Sequence, residues 1–204
     1  MGMKRLISII FCFTIISVSQ AQNFNAALLV GANFSQIDGD QFAGYNKLGA
    51  NLGIEISRAV KEDWEASFEI KFSMKGSKKV IDPESLEPTL KISYHYAEVP
   101  LLVKYVGFKD IDLLGGVSLG VNVFNERDDN GIVTEEDELN KSEMALVLGG
   151  SYYFTDNLAV ELRHGYSLLS IRDYPIIVNS PTWFGRAGWY NRLFTVGLRY
   201  QLGN

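Results

Sequence analysis

Cysteine is nearly absent from this chain. The one residue of that type, Cys12, lies in an N-terminal segment that reads as an export signal and lacks a following lipobox. Lys4 and Arg5 form a basic start, Leu6 to Val18 an apolar core, and Ser19-Gln20-Ala21 a small-residue processing site. Cleavage after Ala21 is expected, leaving residues 22–204 as one domain without a thiol. Disulfides, Cys-ligated metals and Cys nucleophiles are then excluded. An N-terminal anchor is the alternative, but the apolar run is short for a spanning helix, which needs roughly 20 residues.

Basic charge is also scarce. Loss of Lys4 and Arg5 takes Lys plus Arg from 19 to 17 against 24 acids, moving the net charge from −5 to −7. That balance argues against nucleic-acid binding, which uses a basic footprint. After the signal there is no apolar run of spanning-helix length. If the chain crosses a membrane, it does so as a closed barrel, because lipid offers no partner to an unpaired backbone group.

What is present is alternation. Phe194, Val196, Leu198, Tyr200 and Leu202 share one face, opposite Thr195, Gly197, Arg199 and Gln201. Trp64 to Lys75 repeats the pattern, as do Leu48 to Ile56, Ile111 to Val123, Met144 to Phe154 and Leu158 to Leu168. A fainter first strand runs near Ala26 to Ser35. Connections alternate between long (37–47, 77–90, 125–141, 170–189) and tight (59–63, 107–110, 155–157). This asymmetry predicts an all-β, eight-stranded antiparallel up-and-down transmembrane β-barrel with short periplasmic turns and long extracellular loops, in the outer membrane of a Gram-negative bacterium.

A lipocalin-like soluble barrel shares the period but reverses the faces. The polar face decides between them. It carries Gly31, Gly49, Gly53, Gly116, Gly120, Gly149, Gly165 and Gly197, which suit a narrow lumen better than an exposed sheet surface. Its charges balance: Glu55, Glu65, Glu69, Glu98 and Glu161 against Lys71, Lys75, Lys104, Arg163 and Arg199. Buried charges need partners, so these residues are expected to form a lumen charge network. Two aromatic girdles are expected as well, Trp64, Tyr105, Phe154 and Tyr200 at one end and Phe34, Phe72, Trp189 and Tyr190 at the other.

The fourth strand breaks this scheme. Ile92, Tyr94 and Tyr96 belong to one face and Val99, Leu101, Val103 and Tyr105 to the other. If every apolar face points to lipid, a β-bulge near Ala97-Glu98 is required, and it would also accommodate Pro100. Alternatively the tyrosines point inward and there is no bulge.

The segment Tyr96-Ala97-Glu98-Val99-Pro100-Leu101-Leu102-Val103-Lys104-Tyr105 resembles the Tyr-x-Glu-Ile-Pro-Leu-Leu-x-Lys-Tyr signature of PorT-like outer-membrane β-barrel proteins. Gly31 to Ser35 and Asn191 to Tyr200 are similar to that family's opening and closing strands, with Val99 in place of isoleucine. The resemblance implies an outer-membrane, eight-stranded barrel. It implies no single activity, although the namesake is associated with a protein-secretion apparatus.

Little else suggests chemistry. A small barrel has a lumen filled by side chains, so function is expected on loops or the outer wall. His164 and Ser167, three residues apart, would lie on opposite faces of a strand, too far for a hydrogen-bonded dyad, and His95 is alone. No enzymatic activity and no cofactor are expected. Glu126, Asp128, Asn130 and Asp137, with Gly131 as the turn, overlay loosely on a calcium loop; a solvated acidic loop is the other reading. A last long loop is unusually apolar, with Tyr174, Ile176, Ile177, Trp183 and Phe184 as a possible partner surface or a plug. The expected function is a structural or interaction protein of the outer membrane, monomeric, in contact with lipid and engaging a protein partner through its loops. The alternatives are an accessory role in a secretion or assembly apparatus and a narrow transport channel.

Overall fold

In the computed structural model, which describes residues 24–40, 42, 44–79, 90–135, 139–173 and 188–202, the alternating segments become nine strands and, among the described residues, no helix. They are β1 (Phe24–Asp38), β2 (Lys47–Lys61), β3 (Trp64–Lys78), β4 (Leu90–Tyr105), β5 (Ile111–Asp129), β6 (Ile132–Thr134), β7 (Ser142–Tyr153), β8 (Leu158–Ser167) and β9 (Tyr190–Leu202). Each long strand pairs antiparallel with its neighbour in sequence. β9 pairs back onto β1, from Ala26↔Leu202 to Asp38↔Tyr190, closing an eight-stranded barrel. Closure leaves no edge strand, the condition lipid imposes.

The three-residue β6 is outside the barrel wall. It folds back on the end of β5 through Asn130 and Gly131, whose φ angles of 54° and 86° are those of a two-residue hairpin turn. β5 therefore runs on to Asp129, past the expected end at Val123. β1, β2, β3, β7 and β9 also exceed their expected length, mostly at the long-loop end, whereas β8 ends one residue short of the expected Leu168.

The two faces settle the choice between lipid and water outside. Outward residues are apolar on every wall strand: Val30 is 57% exposed, Leu48 61%, Ile70 52% and Leu198 50%. Inside, Glu69 is 0% exposed, Glu55 and Lys104 1% and Arg199 2%. A soluble protein seldom exposes an apolar patch above a few hundred Å², and this one surrounds the molecule. Glycine lets the narrow wall curve. A Cβ at Gly49 would overlap the Met74 carbonyl oxygen, and one at Gly116 the oxygen of Leu101.

The expected bulge at Ala97-Glu98 is not there. The β3–β4 register holds from Trp64↔Tyr105 to Lys78↔Lys91 without a shift. Ile92, Tyr94, Tyr96, Glu98, Leu102 and Lys104 all face inward, so the alternative with inward tyrosines is correct. The extra residue is Val123 on β5, since His95 pairs with Phe124 and Tyr96 with Asn122. Pro100 is accommodated differently: pairs between β3 and β4 lapse between Phe68↔Leu101 and Lys71↔Glu98. A residue without an N–H simply leaves a gap in the ladder.

Candidate functional site

The inward residues stack in tiers from the short-turn end to the long-loop end. In the lowest tier Glu55 receives Lys104, and Arg199 Nη2 lies 2.9 Å from the same carboxylate. Arg199 Nη1 also donates to the Tyr153 hydroxyl at 2.7 Å, and that hydroxyl donates to Asp112 at 2.8 Å. Above it, Arg163 donates two parallel hydrogen bonds to Glu69 (2.8 and 2.7 Å), while its Nε lies 2.6 Å from Glu161. A planar fork against a carboxylate is the strongest ion-pair geometry available to side chains. Lys71 lies 3.9 Å from Glu69.

A neutral tier follows. Asn33 accepts from Asn51 (2.9 Å) and Thr195 (2.7 Å) and donates to Ser73 (2.9 Å), so its amide is satisfied in the dry interior. Next, Lys75 Nζ sits 2.5 Å from Glu98 and 2.7 Å from Glu143, beneath the Tyr96 ring at 4.9 Å. Ser167 and Asn191 complete the shell of Glu143. The top tier is apolar: Ile37, Ile92, Tyr94, Ile171 and Trp189 are buried together, with Phe42 and Leu139 packed against them.

The lumen is thereby filled. A cavity of about 30 Å³ among Lys71, Pro100, Ser118 and Arg163 has room for a water molecule.

Of the lumen residues assigned from sequence, Glu55, Glu69, Lys71, Lys75, Glu98, Lys104, Glu161, Arg163 and Arg199 are buried, whereas Glu65 is half-exposed near the turn. Glu65 is the cross-strand partner of Lys104, which turns instead to Glu55. Sequence reasoning missed Glu143, because the expected strand began at Met144. It stands in phase with Ala145, Gly149 and Ser151, one step further along the same face. Asn33, Asn51 and Tyr153 were also missed, and Thr195, though placed on the polar face, was not read as part of a network, since uncharged polar residues do not stand out as one.

The girdle assignments hold in part. Trp64 and Tyr105 contact at 5.1 Å, Tyr152 and Phe154 at 5.3 Å, and Phe34 and Phe72 face outward. Trp189 and Tyr190 do not belong there. Trp189 is in the apolar tier, under the Arg172 guanidinium at 4.8 Å, and Tyr190 stacks on Tyr166. His95 packs outward between Phe72 and Phe124, and His164 against Phe194. Ser167 points the other way, to Glu143, so no His–Ser pair forms.

Three of the four calcium-loop candidates fall among the described residues. Glu126 and Asp128 are on strand β5 and Asn130 is in the hairpin turn; Asp128 accepts the Gly131 amide at 2.8 Å. Alternate residues on a strand stand roughly 6.6 Å apart, a spacing unlike that of a coiled ligand loop. No metal-binding group of three or more His, Cys, Asp or Glu occurs among the described residues. Asp137, the signal segment and Tyr174, Ile176, Ile177, Trp183 and Phe184 lie outside those residues.

At the long-loop end, outside the spanning strands, burial pushes the Asp40 carboxyl up to about 6, despite the hydrogen bond from the Phe42 amide (2.8 Å) that favours its charged form.

A closed barrel with ion pairs sealed inside and an apolar belt outside is a transmembrane β-barrel of the outer-membrane class. The chain belongs to the family described as outer membrane protein beta-barrel domain, whose model matches residues 20–173. No curated protein matches the chain. Among solved structures it is similar to Ail, the attachment invasion locus protein of Yersinia pestis, at 15% identity and a TM-score of 0.52, covering 87% of this chain and 98% of Ail. It is also similar to Neisserial surface protein A at 13% identity and a TM-score of 0.53, covering 89% of this chain and 100% of that protein. At such identities the likeness concerns the fold alone. The protein is thus an outer-membrane β-barrel protein.

Proposed function

We propose that this barrel is a non-conducting scaffold that presents its long-loop end outside the cell as an interaction surface. The observation that carries this reading is the filled lumen: ion pairs occupy the bore and an apolar tier closes its long-loop end. A filled small barrel has its binding capacity on loops and outer wall. In the same reading the signal is cleaved after Ala21, the short turns face the periplasm, and the apolar 174–187 loop contributes to the interaction surface.

The resemblance at Tyr96 to Tyr105 supports the barrel family more than a secretion role. Tyr96, Glu98 and Lys104 are lumen residues, so that segment reports how the wall is built and is silent on what the loops hold.

The test is conductance of the refolded protein in planar bilayers, paired with surface crosslinking in cells. The expected result is a flat baseline together with crosslinks from the 174–187 loop to a discrete protein. Single-channel steps would overturn the scaffold reading in favour of a narrow channel. Altered export of secreted proteins on deletion, without loop crosslinks, would favour a secretion accessory.

A further inference from the structure

Three lysines gather at the long-loop rim of an otherwise acidic chain. Lys78 and Lys91 are direct cross-strand partners on β3 and β4, and like charges so placed repel. Lys47, at the start of β2, is 6% exposed, and the charged groups that act on its ammonium are Lys91, Glu126 and Lys78. Its Nζ donates to the Leu48 carbonyl at 3.1 Å. Lys91 also stands across from Asp128, but that carboxylate accepts the Gly131 amide at 2.8 Å. None of the three lysines forms an ion pair among the described residues. Buried or crowded cations of this kind call for a counter-ion.

The cluster is on the lipid-facing side of the wall. Lys47, Lys91 and Glu126 also act on His95, which packs outward between Phe72 (5.6 Å) and Phe124 (5.0 Å). Met74, His95 and Phe124 form one cross-strand row, and Lys78, Lys91 and Asp128 form another, four residues further along the strands. That is roughly 13 Å of strand. Charge at the rim therefore stands directly above an aromatic surface that faces the membrane.

We infer that Lys47, Lys78 and Lys91 hold a phosphate of one phosphorylated glycolipid of the outer leaflet, whose acyl chains run down over His95 and Phe124. Cations at headgroup depth above an apolar face complement a molecule of that polarity, and lysine binds phosphate as a point charge. One anion between Lys78 and Lys91 also turns their repulsion into attraction. This rests on the reading that the long loops face outward, where the leaflet of a Gram-negative outer membrane carries such lipids.

The test is titration of the full-length protein, purified in mild detergent, with diphosphoryl lipid A, read by native mass spectrometry. Lipid A stripped of its phosphates and inorganic phosphate are run beside it. K78Q/K91Q removes two ammonium groups and K78R/K91R keeps their charge; heat-shifted electrophoresis checks that each variant is folded. The wild type is expected to bind one lipid A, and the stripped lipid at least about tenfold more weakly. K78Q/K91Q should weaken binding about a hundredfold, two charge-assisted contacts at about tenfold each, and K78R/K91R should bind as the wild type does. Equal binding of phosphorylated and stripped lipid, or equal binding by wild type and K78Q/K91Q, would overturn the site. Inorganic phosphate competing at the affinity of lipid A itself would overturn the lipid as occupant. Sidedness is read separately: a D63C variant should resist a membrane-impermeant maleimide in intact cells and react after lysis. Labelling in intact cells would overturn the outward reading of the long loops, whereas equal binding with a protected D63C would overturn the site alone.

Discussion

The two halves of this lumen are closed by different physics. Toward the short turns the filling is charge on charge: Lys104 and Arg199 on Glu55, and Arg163 on Glu69 and Glu161. Toward the long loops it is Ile37, Ile92, Tyr94, Ile171 and Trp189, a small hydrophobic core like that of a soluble domain. The ion pairs demand geometric completeness, since a buried charge tolerates no missing partner. The apolar tier demands volume, since each lost atom leaves a void. Lys75 is at the boundary, between two carboxylates below and the Tyr96 ring above. Substitutions on the two sides should fail in recognisably different ways.

The largest effect is expected from Arg163→Ala. It strands Glu69 and Glu161 in the bore and should cost about 3–5 kcal/mol, the range for breaking a buried pair. Denaturant unfolding in detergent, read by the heat-shifted band, measures it. Replacing Glu69, Lys71, Glu161 and Arg163 together by leucine and methionine should recover most of that loss, because apolar filling then leaves no stranded charge in the tier. A quadruple variant no better than R163A would show that hydrogen-bond geometry, and not charge balance, holds this tier.

Tyr94→Ala should cost somewhat less, about 3 kcal/mol, through the cavity it leaves in the apolar tier. Conductance should stay at baseline in Y94A, because the Arg163 tier still fills the bore beneath it. Channel steps in this variant would mean that the apolar tier alone closes the barrel, and the division of labour drawn above would fail.

That same division sets how much of the molecule was legible in the sequence. Where polar and apolar residues alternate cleanly, as in β3 and β9, the inward face could be assigned residue by residue. The rule used, apolar out and polar in, fails in the apolar tier, where Ile92 and Tyr94 face inward while Val99 and Leu101 face lipid. No local feature of β4 distinguishes the two apolar sets. They are sorted by what stands across the bore, Ile37, Ile171 and Trp189, brought there from three other parts of the chain. The acidic stretch was read incompletely for a related reason. Asn130-Gly131 was read as a metal-loop turn, but with alternating residues on both sides it is a hairpin signal.

A pH effect confined to the long-loop end would sharpen the contrast further. The Asp40 carboxyl, ordinarily near 3.8, is pushed up to about 6 chiefly by burial. A folded-state value above the unfolded one means that the native protein holds the extra proton between those limits. Stability should therefore fall as pH rises from about 4 to 6 and level off above, by about 3 kcal/mol. Asp40→Asn should flatten that slope. An unchanged slope in D40N would assign the effect to another group.

The smallest effect is expected at Pro100, which lies between the two regimes. It leaves the β3–β4 ladder unpaired from Glu69 to Ile70 without altering the register on either side. Because the register is already in place, Pro100→Val restores a donor where a partner strand is waiting. A β-branched side chain of similar bulk also keeps the inward volume. One net backbone hydrogen bond contributes about 1 kcal/mol, partly offset by the greater freedom of the unfolded chain. Pro100→Val should thus stabilise the barrel by under about 1 kcal/mol, with a slowly exchanging amide at position 100 as its signature. A large loss of stability instead would mean that the proline shapes β4. The gap in the ladder would then be the means by which Tyr96 and Glu98 above are aligned with Leu102 and Lys104 below.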